Sequence, residues 1–153
     1  MTSPAATHGS FTLERRFNAR PERVFAAFAD VEAKSRWFGP DVWVPKERSL
    51  DFREGGAEVA IGQWPDGKTT QYHARFEEIV PDRRIIFTYV MHIDDWRISV
   101  SLATLEVLPD GTGTKLTFTE QATFINGFED PGAAGRKQGT EGLFDRLEAS
   151  LAG

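Results

Sequence analysis

The stretch that decides the fold is Phe17–Pro40, which reads FNARPERVFAAFADVEAKSRWFGP. Pro21 suits the first turn of a helix, because its fixed backbone angle is helical and its missing N–H is not needed there. The Gly-Pro pair that closes the stretch ends the helical pattern, since proline cannot continue a helix and disfavours helical angles in the preceding residue. We therefore predict two short helices, over about residues 21–29 and 31–37.

The residues before this stretch have the pattern of a strand. Phe11 and Leu13 share one parity and polar residues occupy the other, as expected for a strand with one buried face. Arg15 is an exception, because it lies on the apolar side. Residues 1–10 show no periodicity, so we predict a flexible N-terminal tail followed by a single domain over residues 11–153.

Turn residues divide the middle of the chain into strands. Groups such as Pro65-Asp66-Gly67 and Pro109-Asp110-Gly111 mark the corners. Strands are predicted near residues 41–53, 57–64, 69–80, 84–93, 97–108 and 113–122. Such short connections force antiparallel pairing, because parallel neighbours need a crossover of about a dozen or more residues. With the first strand, this predicts an α+β protein with a seven-stranded antiparallel sheet.

A long amphipathic helix is predicted to close the chain, over about residues 132–151. Leu143 and Leu147 are four residues apart, and the same step backwards reaches Gly139 and Gly135. Each glycine inside a helix costs roughly 1 kcal/mol relative to alanine. We expect these two glycines to face the sheet and leave space for a ligand; the alternative is close packing of the helix on the sheet.

Composition and charge exclude several classes of protein. The chain has 153 residues, enough for one domain with a real core, and its aromatic supply of 12 Phe, 4 Trp and 2 Tyr suits an apolar pocket. The net charge of −5 is spread along the chain, which argues against a nucleic-acid partner. Thiol chemistry and disulfides are excluded, because the chain has no cysteine. We expect a cytoplasmic protein, since no signal peptide or membrane-inserting segment is evident.

Six motifs in a fixed order identify a family. They are ARPERVF (19–25), WFGP (37–40), DFREGG (51–56), PDRRIIFT (81–88), GTKLTFTEQ (113–121) and RKQGT (136–140). In this order the chain resembles the activator of heat-shock-protein-ninety ATPase family, which lies within the START-like (SRPBCC, helix-grip) superfamily. The resemblance implies a sheet wrapped around the C-terminal helix in the order β-α-α-β(6)-α, with a cavity between them.

The resemblance also implies a type of ligand, because cavities of this superfamily take lipids, polyketides, plant hormones and other apolar molecules. We expect a small apolar or amphipathic molecule as the partner, with no cofactor and no metal. The residues expected to contact it are Trp37, Phe38, Tyr72, Phe76, Tyr89, Phe118, Glu120, Gly139 and Leu143. Trp37 and Phe38 lie at a helix end and could form a mobile gate. The two tyrosine hydroxyls could form hydrogen bonds with a polar atom of the ligand.

Glu120 is the acid with the most unusual position, because strand parity places it beside Phe118 on the apolar side. A carboxylate there needs a partner, and Arg15 or Arg136 could supply the opposite charge. The structural interpretation is a buried ion pair that joins strand to helix. The functional interpretation is a ligand-binding group or a general acid or base.

Three functions therefore stay open. The first is ligand binding without catalysis. The second is a cyclase, dehydratase or hydrolase of polyketide-like substrates, with Glu120 or His92 as proton carrier; His92, at a strand end, could equally be a surface residue. The third is a stress-related accessory protein of a chaperone ATPase, although the eukaryotic activator carries a separate N-terminal domain that is not expected here. A homodimer is compatible with each of the three.

Overall fold

The computed structural model describes residues 5–40 and 42–152, which form seven strands and three helices. In chain order the elements are β1 (Thr7–Phe17), α1 (Pro21–Ala29), α2 (Val31–Ser35), β2 (Val44–Leu50), β3 (Ala57–Gln63), β4 (Thr69–Val80), β5 (Arg84–Ile93), β6 (Trp96–Asp110), β7 (Gly113–Phe124) and α3 (Ala133–Ala152). This is the predicted order, and it confirms the α+β helix-grip architecture. The six strands after α2 begin and end within three residues of the predicted positions.

All seven strands belong to one antiparallel sheet, in the order β1-β7-β6-β5-β4-β3-β2. Strands β2 to β7 form a meander through short turns, whereas β1 pairs with the last strand of the chain. Strands β1 and β2 are consecutive in the chain but lie at opposite edges of the sheet. Helices α1 and α2 make the connection from one edge to the other.

Strand β1 begins at Thr7, so the prediction of a flexible tail over residues 1–10 is wrong for residues 7–10. His8 pairs with Thr123 in the register, and the Thr7 hydroxyl donates a hydrogen bond to the Glu129 carbonyl at 2.8 Å. The side chains at this end of β1 are mostly exposed, so they carry no hydrophobic alternation that could reveal the strand. Residues 1–4 lie outside the described part of the chain.

Helix α3 packs against the inner face of the sheet and provides much of the core. Phe144, Leu147 and Leu151 are buried, and the Phe144 ring meets Phe118 of β7 edge-on, with 5.6 Å between ring centroids. Neither α3 nor any other helix in the described ranges is long and apolar enough to cross a membrane.

Helices α1 and α2 each have a defined start. Helix α1 begins at Pro21, as predicted, and buries Val24 and Phe28. The Asp30 side chain caps α2 by accepting a hydrogen bond from the Ala33 backbone N–H at 3.0 Å. Helix α2 ends at Ser35, before the predicted end at residue 37.

Candidate ligand-binding site

A cavity of about 400 Å³ lies between α3, the loop that joins α2 to β2, and the inner face of strands β3 to β5. Its volume falls within the range of roughly 300–1,000 Å³ that is typical of small-molecule sites. The lining is mainly apolar and aromatic, and consists of Phe38, Gly39, Pro40, Trp43, Ala60, Trp64, Thr70, Tyr72, Tyr89, Met91, Arg136, Gly139, Thr140, Gly142, Leu143 and Arg146.

One wall of the cavity is formed by Trp43, which two glycines hold in place. A Cβ atom at Gly62 of β3 would lie 1.8 Å from Trp43 Cε2, so only glycine lets the indole lie against that strand. A Cβ atom at Gly39 would lie 2.6 Å from the same ring, and Gly39 has a φ of +137°, which glycine tolerates best. Arg48 covers Trp43, with its guanidinium carbon 5.2 Å from the ring centroid. The indole is thereby fixed before any ligand arrives.

The opposite wall is helix α3, which is left open by two of its glycines. Gly139 and Gly142 are both exposed, and in the described part of the chain a Cβ atom at either position would meet no other atom within 4 Å, so both lie at the open side of the cavity. Gly135 was expected to border the same space, and that expectation is wrong. A Cβ atom there would lie 2.7 Å from Pro131 Cγ, because this part of the helix packs against the preceding turn.

Glu120 lies at the centre of a buried polar network. Its side chain is fully buried and accepts hydrogen bonds from Tyr89 at 2.7 Å, from Ser101 at 2.8 Å and from Arg136 Nη1 at 3.1 Å. Arg136 also donates to Ser99 at 2.7 Å and to the Tyr89 hydroxyl at 2.8 Å. The network therefore joins β5, β6 and β7 to α3.

Two arginines were considered as partners of Glu120. In the structure Glu120 forms its ion pair with Arg136. Arg15 extends instead to the outer part of α3. There it forms an ion pair with Asp145 at 2.8 Å and donates a hydrogen bond to the Glu141 carbonyl at 3.1 Å. Both arginines thus tie the sheet to α3, but only Arg136 does so inside the core.

The network keeps its groups in defined protonation states. Burial is the main cause that raises the pKa of Tyr89 above its ordinary value, so the phenol stays protonated and can donate to Glu120. Burial alone would lower the pKa of Arg136, but the nearby Tyr89 and Glu120 raise it overall. Arg136 therefore stays a cation, held by acceptors on three strands.

Tyr72 lies beside this network without joining it. Its ring meets Phe38 edge-on, with centroids 4.9 Å apart, and lies 5.0 Å from the Tyr89 ring. Burial raises the pKa of Tyr72 well above its ordinary value, so its hydroxyl stays protonated. Within residues 5–40 and 42–152 no side chain forms a hydrogen bond with this hydroxyl. It is an unused polar group in the cavity lining.

The structure separates the residues expected to contact a ligand into three groups. Phe38, Tyr72, Tyr89, Gly139 and Leu143 line the main cavity. Trp37, Phe118 and Glu120 line only a smaller space of about 60 Å³ beneath it. Phe76 lines neither and belongs to the core, where its ring packs against Phe52 and Phe87.

The interpretation of Trp37 as a mobile gate is wrong. Its side chain is 1% exposed, its indole N–H donates to the Ala27 carbonyl at 3.0 Å, and its ring packs against Phe28. It anchors α2 beneath α1. The neighbouring Phe38 is half-buried and lies at the cavity, so only the second of the two proposed gate residues borders the ligand space.

Two features of the site were missed by sequence reasoning. One is Trp43, whose position depends on glycines from two other segments. The other is a second buried ion pair, in which Lys34 Nζ of α2 lies 2.7 Å from Glu58 Oε1 of β3 and 4.6 Å from the Phe38 ring centroid. The sequence contained one indication that Glu58 is buried, because Glu58 shares strand parity with the small residues Ala60 and Gly62, which are buried as well.

His92 lies on the outer face of the sheet, away from the cavity. Its ring meets His73 edge-on, with centroids 5.9 Å apart, and its Nδ1 atom is buried without a hydrogen-bond partner among the residues that the structure describes. Burial is the main cause that lowers the pKa of His92. The position agrees with the surface interpretation. In residues 5–40 and 42–152 no group of three or more His, Cys, Asp or Glu side chains is placed to hold a metal ion.

Solved structures with the same fold cover nearly the whole chain. A protein from Rhizobium loti is 43% identical, with 96% of this chain and 99% of that chain covered and a TM-score of 0.86. An uncharacterized protein from Rhizobium leguminosarum is 41% identical, with 97% of each chain covered and a TM-score of 0.90. A protein from Chromobacterium violaceum is 27% identical, with 93% and 96% covered and a TM-score of 0.77.

A comparison with family models identifies the family of this chain. None of the curated proteins compared with the chain matches it. Residues 18–152, however, match the model described as Activator of Hsp90 ATPase homolog 1-like protein. This range includes both helices of the opening stretch, all strands from β2 to β7 and the whole of α3. The chain therefore belongs to the family of Activator of Hsp90 ATPase homolog 1-like proteins.

Proposed function

We propose that this protein binds a small, largely apolar molecule in the cavity between α3 and the sheet. The observation that carries the proposal is the cavity of about 400 Å³, lined by aromatic side chains and bordered by glycines that add no side chain. A cavity of this size in a single small domain leaves many apolar atoms without packing partners, and a ligand would supply those contacts.

Apolar burial would provide most of the affinity. A ligand that buries about 200 Å² of apolar surface gains roughly 5 kcal/mol before the costs of association are subtracted. The fixed position of Trp43 reduces those costs, because the wall needs no reordering when the ligand enters. Tyr72 and Tyr89 line the same cavity and would orient polar atoms of the ligand.

The geometry supports binding better than proton transfer by the two candidate carriers. Both carboxylate oxygens of Glu120 already accept hydrogen bonds from protein donors, and Glu120 does not line the main cavity. His92 lies on the other face of the sheet. Neither residue is placed to exchange a proton with a molecule in the main cavity.

The proposal is tested with the neutral fluorescent probe N-phenyl-1-naphthylamine. We expect saturable enhancement of its fluorescence by the wild-type protein and at least a tenfold loss of affinity in Gly139→Leu, which adds a large side chain to the lining of the cavity at its open side. The matched control is Ala149→Leu, which adds a similar side chain to the exposed face of the same helix.

Circular dichroism and thermal unfolding of both variants establish that they are folded. Absence of probe binding by the wild type, or unchanged affinity in folded Gly139→Leu, would contradict the proposal. Native mass spectrometry of freshly purified protein provides an independent readout, since a retained molecule appears as added mass that Gly139→Leu should lack.

A further inference from the structure

The lining of the cavity contains two tyrosine hydroxyls, and they differ in whether their proton is free. The Tyr89 hydroxyl donates to Glu120 and accepts from Arg136, so its proton is already used inside the protein. The Tyr72 hydroxyl forms no hydrogen bond with any group in residues 5–40 and 42–152. Since a phenol carries a single O–H donor, Tyr72 is the tyrosine that can donate to a polar atom of a ligand.

The Tyr72 hydroxyl is also open to the cavity, although the residue as a whole is only 7% exposed. In the described part of the chain, four polar side-chain atoms are both sealed and without a hydrogen-bond partner: Trp43 Nε1, Arg48 Nε, His92 Nδ1 and Asn126 Oδ1. The Tyr72 oxygen is not one of them, so it keeps an accessible surface. Because Tyr72 lines both the main cavity and the smaller space beneath it, that surface faces these two spaces.

The two tryptophans of the lining cannot donate to a ligand in this way. Trp43 Nε1 is sealed against β3, where a Cβ atom at Gly62 would lie 2.3 Å from it. Trp64 already donates its indole N–H to the Thr70 hydroxyl at 2.5 Å. Tyr72 is therefore the aromatic residue of the described lining whose polar hydrogen is both free and accessible.

The charges around Tyr72 favour a neutral group at its hydroxyl. Glu58 is paired with Lys34 at 2.7 Å and Glu120 with Arg136 at 3.1 Å, so the two ion pairs together carry no net charge. Burial is the main cause that raises the pKa of Tyr72, the Glu58 carboxylate is the next, and the opposing effect of Arg136 is the smallest. A negative group of a ligand at this hydroxyl would be disfavoured by the same burial and the same carboxylates, whereas a neutral acceptor would not.

We infer that the molecule bound in the cavity carries a neutral hydrogen-bond acceptor, such as a ketone oxygen, that binds the Tyr72 hydroxyl, with an apolar body against Phe38 and Met91. This inference rests on the proposed function and specifies its ligand class. Phe38 and Met91 line the same cavity, and Met91 is the partner of Tyr72 in the register of β4 and β5. One well-placed donor in an apolar lining fixes the orientation of a ligand.

The test compares three naphthalenes that share an apolar body. 2-Acetonaphthone carries a neutral ketone, 2-isopropenylnaphthalene has a CH₂ group in place of the ketone oxygen, and 2-naphthoate carries a carboxylate. Their affinities are measured at pH 7.5 by displacement of N-phenyl-1-naphthylamine. We expect Tyr72→Phe to weaken acetonaphthone binding about three- to tenfold, as is usual for the loss of one hydrogen bond, and to change isopropenylnaphthalene binding by less than about twofold. The wild type should bind naphthoate more weakly than acetonaphthone.

Infrared spectroscopy of bound acetonaphthone provides a second measurement that does not depend on a variant. In the wild type the C=O stretch should lie at lower wavenumber than in hexane, because a hydrogen bond weakens the C=O bond. In Tyr72→Phe it should return towards the hexane value. Circular dichroism and thermal unfolding establish whether Tyr72→Phe is folded, and the wild-type spectrum reports on the hydrogen bond even if it is not.

The outcomes separate this inference from the proposed function. Equal effects of Tyr72→Phe on the ketone and on the hydrocarbon, or a C=O stretch unchanged from that in hexane, would overturn the inference while ligand binding stands. Tighter binding of naphthoate than of acetonaphthone would overturn the neutral character of the group. If the neutral probe and all three naphthalenes fail to bind, the proposed function falls and this inference falls with it.

Discussion

Arg136 Nη1 lies 3.1 Å from Glu120 Oε2, and this contact joins helix α3 to strand β7 inside the core. Removal of the arginine would leave a fully buried carboxylate without its counter-charge. We expect Arg136→Met to lower the free energy of unfolding by about 3–5 kcal/mol, as is usual when one partner of a buried pair is lost. Urea denaturation measures this change.

The control for that variant is Arg16→Ala. Arg16 pairs with Asp110 at an exposed position of the sheet, where its side chain keeps 64% of its accessible surface. Exposed ion pairs contribute at most about 1 kcal/mol, so the change should stay below that value. Equal losses in the two variants would show that the buried pair does not hold α3 to the sheet.

The pair of Lys34 and Glu58 allows a double-mutant cycle. Both side chains are almost fully buried, at 7% and 5% exposure. We expect Lys34→Met and Glu58→Leu each to cost about 3–5 kcal/mol, because each leaves one buried charge alone. The double variant should recover most of that loss, since it leaves no unpaired charge. Additive losses, measured by urea denaturation, would contradict a coupled pair.

The glycines of α3 are expected to differ in their tolerance of alanine. Gly139→Ala should raise the free energy of unfolding by up to about 1 kcal/mol, because the helix gains propensity and the new methyl group enters empty space. Gly135→Ala should give no such gain, because its methyl group would meet the rigid Pro131 ring at 2.7 Å. Thermal unfolding of the two variants distinguishes these outcomes, and equal gains would contradict the packing described for Gly135.

The two cavity tyrosines provide another matched comparison. Tyr89→Phe removes a hydroxyl that bonds to Glu120 and Arg136, and bonds to charged groups contribute about 1.5–3 kcal/mol. Tyr72→Phe removes a hydroxyl that has no hydrogen-bond partner within residues 5–40 and 42–152, so its cost should be much smaller. Urea denaturation of both variants provides the measurement. A large loss in Tyr72→Phe would reveal a partner for that hydroxyl in the unliganded protein.

His92 gives the protein a pH dependence of known sign. Burial, followed by His73 and Arg97, lowers the pKa of His92 in the folded state, while Asp95 acts in the opposite direction. In the unfolded chain the imidazole takes up a proton near its ordinary pKa of about 6.5. As pH falls below that value the unfolded state binds more protons, so the free energy of unfolding decreases.

His92→Gln should therefore reduce the loss of stability between pH 7.5 and pH 5.5. Urea denaturation at the two pH values, for the wild type and the variant, provides the comparison. A variant that loses as much stability on acidification as the wild type would exclude His92 as a source of the pH dependence.

Local patterns were sufficient to predict most of the fold. Alternation and turn residues located the strands, and strand parity identified Glu120 as a buried acid that needs a partner. Gly135 was misplaced because a four-residue step advances about 400° around the helix axis, so each step drifts about 40°. Three steps separate Leu147 from Gly135, and the accumulated drift of about 120° carries Gly135 away from the face that Leu147 occupies.

The rest of the site depends on contacts between distant segments. Trp43 is held by Gly39 and by Gly62, and no local pattern around Trp43 indicates that both spaces exist. Lys34 belongs to a helix of five residues, which is too short to show a periodicity that distinguishes its buried face. Trp37 was misjudged for a related reason, since the position of a helix end does not reveal where the next side chain points.

The pairing of β1 with β7 has a consequence for how the chain is made. Phe17 lies opposite Thr114 and Thr7 lies opposite Phe124, so the first strand has no neighbour in the sheet until the start of β7 has been synthesised. Contacts this distant in sequence close slowly during folding. Until β7 is available, the inner side chains of β1 stay exposed, and a nascent chain that stops within β6 would present unpaired strand edges to other chains. Completion of β7 therefore closes two strand edges at once, that of β1 and that of β6.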